Sequence, residues 1–148
     1  MKLSTKTRYG ARAMLELADN YGALAYPVNM IAEKQNISER YLQNILLMLA
    51  DAGLVKSVRG KKGGFILAKS PAEISIAEIV SVLEEGRCFV ECSGSAKSCE
   101  RGEICVMKDV WRAASETLYK FLGNITLKEL SARRREKEGG MKIFDFSI

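Results

Sequence analysis

The chain has no histidine anywhere in its 148 residues. Imidazole is the side chain that titrates most readily near neutral pH and the commonest nitrogen ligand for metals. Its absence excludes histidine-dependent hydrolysis and His-ligated zinc chemistry. No glycine-rich nucleotide loop is present either, and no base stands ready to activate a cysteine nucleophile, so the chain is not expected to be an enzyme. No apolar run approaches the roughly 18–20 residues of a membrane span. The amino-terminal stretch is polar and already amphipathic, unlike a leader peptide. These features lead us to expect a cytoplasmic protein with no membrane partner, in a compartment where thiols stay reduced. Four cysteines under those conditions favour metal or redox chemistry over a disulfide framework. No internal repeat is visible.

What is present is a mixed but unevenly charged chain. The apolar share of 47% suffices for a core, and the length suits one domain or a small domain with an added assembly element. The net charge is +5, and its distribution says more than its total. Residues 1–15 hold Lys2, Lys6, Arg8 and Arg12 without an acid, and residues 52–72 hold Lys56, Arg59, Lys61, Lys62 and Lys69 without one. Two separated basic stripes suit two contacts along one phosphate backbone.

The periodicity predicts a mainly α protein with one small β-hairpin. Ser4 caps a helix to about Asn20, and a short helix spans about Asn29 to Lys34 after Pro27. Gln35-Asn36-Ile37 turns the chain, and Ser38 caps a helix from Glu39 to about Asp51. On that helix Leu42, Ile45, Leu46 and Leu49 share one face, and Arg40, Gln43 and Asn44 lie opposite. Strands at Leu54–Val58 and Phe65–Ala68 flank a tip of glycine and cation. A helix over about Ile76–Leu83 follows, then an aperiodic stretch from Gly86 to about Gly102. A long helix is predicted from about Glu103 to Leu122, with an apolar stripe through Val106, Val110, Ala113, Ala114, Leu118 and Phe121. Thr126 caps a last helix ending in Arg133-Arg134-Arg135, and no element is assigned to the tail. The resulting units are a winged helix-turn-helix over 1–83, a cysteine loop over 84–105, a dimerisation helix with a C-terminal helix over 104–135, and a tail over 136–148.

Helix, turn, helix and basic wing, in that order, form a winged helix-turn-helix, whose second helix fits a major groove. Ser38, Arg40, Tyr41, Gln43 and Asn44 are candidate groups on that helix. Arg59, Lys61 and Lys62 are candidates on the wing, where Arg59 suits a minor groove. Arg8 and Tyr9 are candidates at the start of the first helix. The plainer reading is a set of solvated helix positions and a charged turn. The stripe on the long helix is wider than so small a chain can cover by itself, so pairing with a second copy is expected. A symmetric pair would present two reading heads to a palindromic duplex.

Cys92, Cys99 and Cys105 are spaced by six and five residues in a loop rich in glycine and serine. Thiolates are soft ligands that suit zinc or an iron–sulfur cluster. Buried structural cysteines or a reactive redox thiol are the simpler alternatives.

Several segments together resemble the Rrf-two family of winged helix-turn-helix transcription factors, and within it the IscR-type iron–sulfur cluster regulators. They are Arg8-Tyr9, Ser57-Val58-Arg59-Gly60, Gly63-Gly64-Phe65, Trp111-Arg112 and Ile125-Thr126-Leu127-Lys128-Glu129-Leu130. The resemblance covers about residues 1–130. It implies a homodimer with a long dimerisation helix, acting as a promoter-binding repressor of cluster-biogenesis genes. It also implies a cluster on Cys92, Cys99 and Cys105, [2Fe–2S] in preference to [4Fe–4S], with cluster-assembly proteins as conceivable donors. Two positions depart from the pattern. Where these relatives carry a histidine as fourth ligand, this chain has Lys108, which leaves Cys88 or a carboxylate (Glu84, Glu85, Glu91, Glu103 or one from the partner subunit). Where they carry a glutamate on the recognition helix, this chain has Gln43, and a carboxamide prefers different base edges. A cluster-free family member controlling cysteine or sulfur metabolism and a thiolate–zinc regulator remain as alternatives.

Overall fold

The computed structural model describes residues 3–84 and 104–144. Six helices and one two-stranded antiparallel sheet are present among them, which is the mainly α fold with a small β-wing and a long C-terminal helix that the periodicity predicts. Helix α1 (Thr5–Asp19) starts at Ser4, whose Oγ accepts the Thr7 N–H at 3.1 Å. Its inward face of Gly10, Ala13, Met14, Leu17 and Ala18 is buried. Gly10 lets α1 sit close to Leu83, because a Cβ there would lie 2.2 Å from Leu83 Cδ1. Helix α2 (Val28–Gln35) ends at Asn36, a left-handed residue at φ +52. Asparagine tolerates that conformation, so three residues suffice to turn the chain into α3 (Glu39–Asp51). Ser38 caps α3 by accepting the Tyr41 N–H at 3.3 Å.

The core forms where these faces meet. Leu42, Ile45, Leu46 and Leu49 of α3 are at most 1% exposed, and each contributes about 1.5–3 kcal/mol by leaving water. They pack with Met14 and Leu17 of α1, Ile31 of α2 and the wing root at Leu54, Val55, Phe65 and Leu67. The wing strands β1 (Val55–Val58) and β2 (Gly64–Leu67) pair in the register Val55↔Leu67 and Val58↔Gly64. Tyr26 adds a bridge on the far edge of β2, exchanging two backbone hydrogen bonds with Phe65 at 2.9 and 3.0 Å. That approach demands glycine at position 64, where φ is +154 and a Cβ would fall 2.3 Å from the Tyr26 carbonyl oxygen.

A 3-10 turn (Pro71–Glu73) and helix α4 (Ile76–Leu83) each begin with a capping box, Ser70 with Glu73 and Ser75 with Glu78. Helix α5 (Val106–Gly123) follows, and its N-cap is Cys105. The cysteine therefore precedes the helix rather than lying on its first turn. The corner into α6 (Leu127–Phe144) is tied to the start of α4. Ile76 N–H donates to Ile125 O at 2.9 Å and Leu127 N–H donates to Ile74 O at 3.0 Å. Helix α6 continues nine residues past Arg135, which the sequence reading took as its end. Pairs one turn apart, Glu129 with Arg133 and Arg134 with Glu138, carry it on.

One polar cluster crosses this apolar architecture. Glu16 of α1 is 4% exposed, yet its carboxylate meets Lys34 Nζ of α2 at 2.9 Å and Arg134 of α6 at 2.8 Å. Gln35 Nε2 donates to it at 3.5 Å. Burial works against the charge most strongly, but the hydrogen bonds and charges of Lys34 and Arg134 together outweigh it and hold the carboxyl below the ordinary carboxylate range. A carboxyl lowered in the folded state stabilises the fold above its unfolded value near 4.5, and that contribution is lost as pH falls through the folded value. Denaturant midpoints measured between about pH 7 and pH 3 should therefore fall on the acid side. Glu16→Gln should be less stable at neutral pH and show a shallower acid limb. An acid limb as steep as that of the unsubstituted chain would remove Glu16 from the linkage.

Candidate nucleic-acid interface

The candidate residues fall on three elements. On α3, Arg40, Tyr41, Gln43 and Asn44 are exposed on the face opposite the buried leucines. The helix period places them there, away from the Leu42, Ile45, Leu46 and Leu49 positions that face the core, with Met48 and Ala50 half-buried at its edge. Ser38 sits at the helix start, where its side-chain oxygen serves the cap. Leu47 lies on the same outer face and is 43% exposed. The sequence reading passed over it because an outward leucine carries no polar signal. An apolar group there matches the 5-methyl of thymine as Gln43 and Asn44 match polar base edges.

The start of α1 lies against this face. Tyr9 and Tyr41 meet edge to face, with ring centroids 6.3 Å apart and planes at 86°. Such pairs add about 0.5–1.5 kcal/mol beyond their buried area. Arg12, one turn after Tyr9, stands with its guanidinium 5.9 Å from the Tyr9 ring centroid. Arg12 is exposed and belongs with Arg8 and Tyr9, although only its place in the basic amino-terminal stripe pointed to it. Arg8 is exposed and donates weakly to Thr5 Oγ1 at 3.5 Å. Tyr9, Arg12 and Tyr41 are thus brought together. Arg59, Lys61 and Lys62 stand apart from them at the wing tip, all exposed.

Of the thiols, Cys105 is described. It is partly buried at the α5 N-cap, and its side chain makes no capping hydrogen bond. Cys88, Cys92 and Cys99 lie outside the described residues, as do Glu85, Glu91 and Glu103. Among the described residues no group of three or more potential ligands converges. Glu84 has other work. Its carboxylate accepts the Ser4 N–H at 2.8 Å and bonds Thr7, capping α1 from the end of α4. The Thr7 hydroxyl, against the opposing effect of burial and with Ser4 adding to it, keeps this carboxyl below its usual range.

The outer face of α5 is apolar. Val106 is 75% exposed, Val110 52% and Phe121 63%, with Met107 and Trp111 alongside. Ser115 is buried instead, and the helix packs on α4. Among the described residues no helix is long and apolar enough to cross a membrane.

Comparison with known proteins gives this architecture a family. The family model described as Rrf2, iron-dependent transcriptional regulator, matches residues 3–133. The HTH-type transcriptional regulator IscR of Escherichia coli is 40% identical over 130 residues, 88% of this chain and 80% of that one. The solved structure of IscR from T. potens superposes with a TM-score of 0.75 at 36% identity, covering 93% of this chain and 90% of that one. CymR (YrzC), the global cysteine regulator of B. subtilis, superposes with a TM-score of 0.73 at 34% identity, covering 90% and 98%. With the reading head, the wing and the matched length in agreement, the chain belongs to the Rrf2 family and is a DNA-binding transcriptional regulator rather than an enzyme.

Proposed function

We propose that the chain is a homodimeric repressor whose hold on promoter DNA follows the state of an iron–sulfur cluster, and that it controls cluster-biogenesis genes. The observation that carries the DNA part is the outer face of α3. Arg40, Tyr41, Gln43 and Asn44 are exposed there, and Tyr9 braces Tyr41. Gln43 and Asn44 are the base-reading pair in this proposal, since carboxamides can pair bidentately with adenine. Arg8, Ser38, Arg40, Arg59, Lys61 and Lys62 meet phosphate or the minor groove and set register and affinity.

The cluster part rests on the donor set. Four cysteines and no histidine make a soft donor set, and Cys105 stands partly buried at the start of α5. Cys92, Cys99 and Cys105 would hold the cluster, [2Fe–2S] in preference to [4Fe–4S]. Because Glu84 already caps α1, Cys88 or another carboxylate is the better fourth ligand. When bound, such a group supplies an iron- and redox-responsive charge at the start of α5. Cys105 connects that point directly to the helix whose apolar stripe would form the dimer stem. The similarity to the IscR proteins supports this reading, and the similarity to CymR supports a second one. In that second reading the chain regulates cysteine or sulfur metabolism without a cluster.

Three measurements test the proposal. The first uses the duplex that the chain selects from a randomised pool. There Gln43→Ala should cost about 1–3 kcal/mol, concentrated on one base position, while Arg59→Ala should weaken all duplexes and lower the salt slope by about 1. Equal losses on every sequence with Gln43→Ala would confine that residue to phosphate. The second is sedimentation. The unsubstituted chain should run as a dimer, and Val110→Glu should run as a monomer, since it sets a charge in the apolar stripe. A dimer that survives the substitution would place the interface elsewhere. The third is anaerobic purification with iron and sulfide assays. Coloured protein should lose its absorption when Cys92, Cys99 and Cys105 are replaced by alanine, and its DNA preference should change with that loss. Colourless protein free of iron and sulfide would select the cysteine-metabolism reading.

A further inference from the structure

We propose that Glu16, by holding Arg134 of α6 and Lys34 of α2 on one carboxylate, orients each recognition helix relative to the dimer stem and thereby sets the half-site spacing the protein accepts. The proposal rests on the homodimer reading above and concerns residues outside the candidate DNA contacts.

The contacts form a continuous path. On the stem side, α6 leaves α5 through a corner that two backbone hydrogen bonds fasten to α4. Arg134 then reaches back to α1 and meets Glu16 at 2.8 Å, Asp19 at 3.1 Å and its own neighbour Glu138 at 3.2 Å. Ser131 adds a hydrogen bond to Asp19. On the reading side, Lys34 meets the same Glu16 carboxylate from the last turn of α2, just before the turn into α3. The Lys34 ammonium also lies 5.4 Å from the Tyr26 ring centroid, and Tyr26 is bridged to Phe65 in β2. One carboxylate therefore ties the C-terminal helix to the helix-turn-helix and, through Lys34 and Tyr26, to the root of the wing.

Burial decides which of these pairs matters. Exposed pairs such as Glu129 with Arg133 contribute little. Glu16 is 4% exposed, and a charge held that far from water makes the geometry of its partners count. Gln35 Oε1 is buried beside the cluster without a hydrogen-bond partner among the described residues. A two-fold protein reads two half-sites at a separation fixed by its own frame. One inserted base pair moves a half-site by about 3.4 Å along the axis, so a head free to tilt about α1 would tolerate what a clamped head rejects.

The test uses the palindromic duplex selected by the unsubstituted chain, versions with one base pair added or removed at its centre, and a single half-site. Arg134→Ala leaves Glu16 paired with Lys34, so the fold and dimer should persist by thermal melting and sedimentation. Its affinity for the single half-site should be unchanged. Its preference for the selected spacing should fall by about tenfold, within the usual range of coupling between sites. Arg134→Lys, which keeps one charge on Glu16, should recover part of that preference. A dimeric Arg134→Ala protein with an unaltered spacing preference, or with equal losses on half-site and full site, would overturn the clamp while leaving the dimer reading in place. An unsubstituted chain that sediments as a monomer would overturn both.

Discussion

The structure depends on α1 being apolar enough to sit in the middle of the molecule while carrying one carboxylate that is not. Helix α1 touches α2, α3, α4, α6 and β2, so nearly every element takes its position from it. Its buried face sets small residues such as Gly10, Ala13 and Ala18 beside Met14 and Leu17, which lets neighbouring helices approach closely. Glu16 breaks that face. An unpaired carboxylate there would be expelled or protonated, and it stays charged because α2 and α6 each bring a cation to it. Apolar contact tolerates sliding between helices, whereas a hydrogen-bonded charge pair does not. The core holds the helices together and Glu16 fixes how they are turned.

The reading surface follows from the same packing. Four buried residues on α3 fix which face looks outward, and the polar residues placed there are side chains able to pair with base edges. The wing is anchored by burial of Val55, Phe65 and Leu67 and by the Tyr26 bridge, which leaves its cationic tip free to project. In the proposed reading, base discrimination resides on α3, while phosphate contacts are shared among the starts of α1 and α3 and the wing tip. The Tyr9–Tyr41 contact links the amino-terminal basic stripe to the recognition helix, so a tilt of α3 moves Arg8 and Arg12 with it.

Much of this was legible in the sequence, wherever the signal is local. Ser38 as a cap, the Leu42, Ile45, Leu46, Leu49 face and the hairpin with its glycine-rich tip depend on residues a few positions apart, and all appear as expected. Bonds between residues far apart in the chain left no such trace. Arg134 reads as one of three consecutive arginines, and nothing in its neighbourhood announces a partner 118 residues earlier. Glu84 reads as an acid near the cysteines, a plausible ligand, until folding places it over the α1 N-terminus 80 residues away. The extension of α6 was missed for a different reason. Past Arg135 the residues show no apolar stripe, and the glycines at 139 and 140 cost the helix only about 1 kcal/mol each. The candidate cysteine ligands other than Cys105 lie outside the described residues.

The placement of Cys105 and Glu84 bears on how a signal would travel. Cys105 begins the helix with the exposed apolar stripe, and Glu84 ends the helix that caps α1. The cysteine-bearing segment therefore joins, at its two ends, the proposed stem and the proposed reading head. A change in ligation between them need not create a new contact with DNA. In the proposed switch it has only to alter the relation of two bodies that α6 also connects, through Arg134, near the other end of α1. In that proposed switch, a displacement at the start of α5 would reach the head as a rotation. Tight packing makes such a rotation a choice between arrangements more than a gradual drift, and that is the behaviour a promoter switch requires.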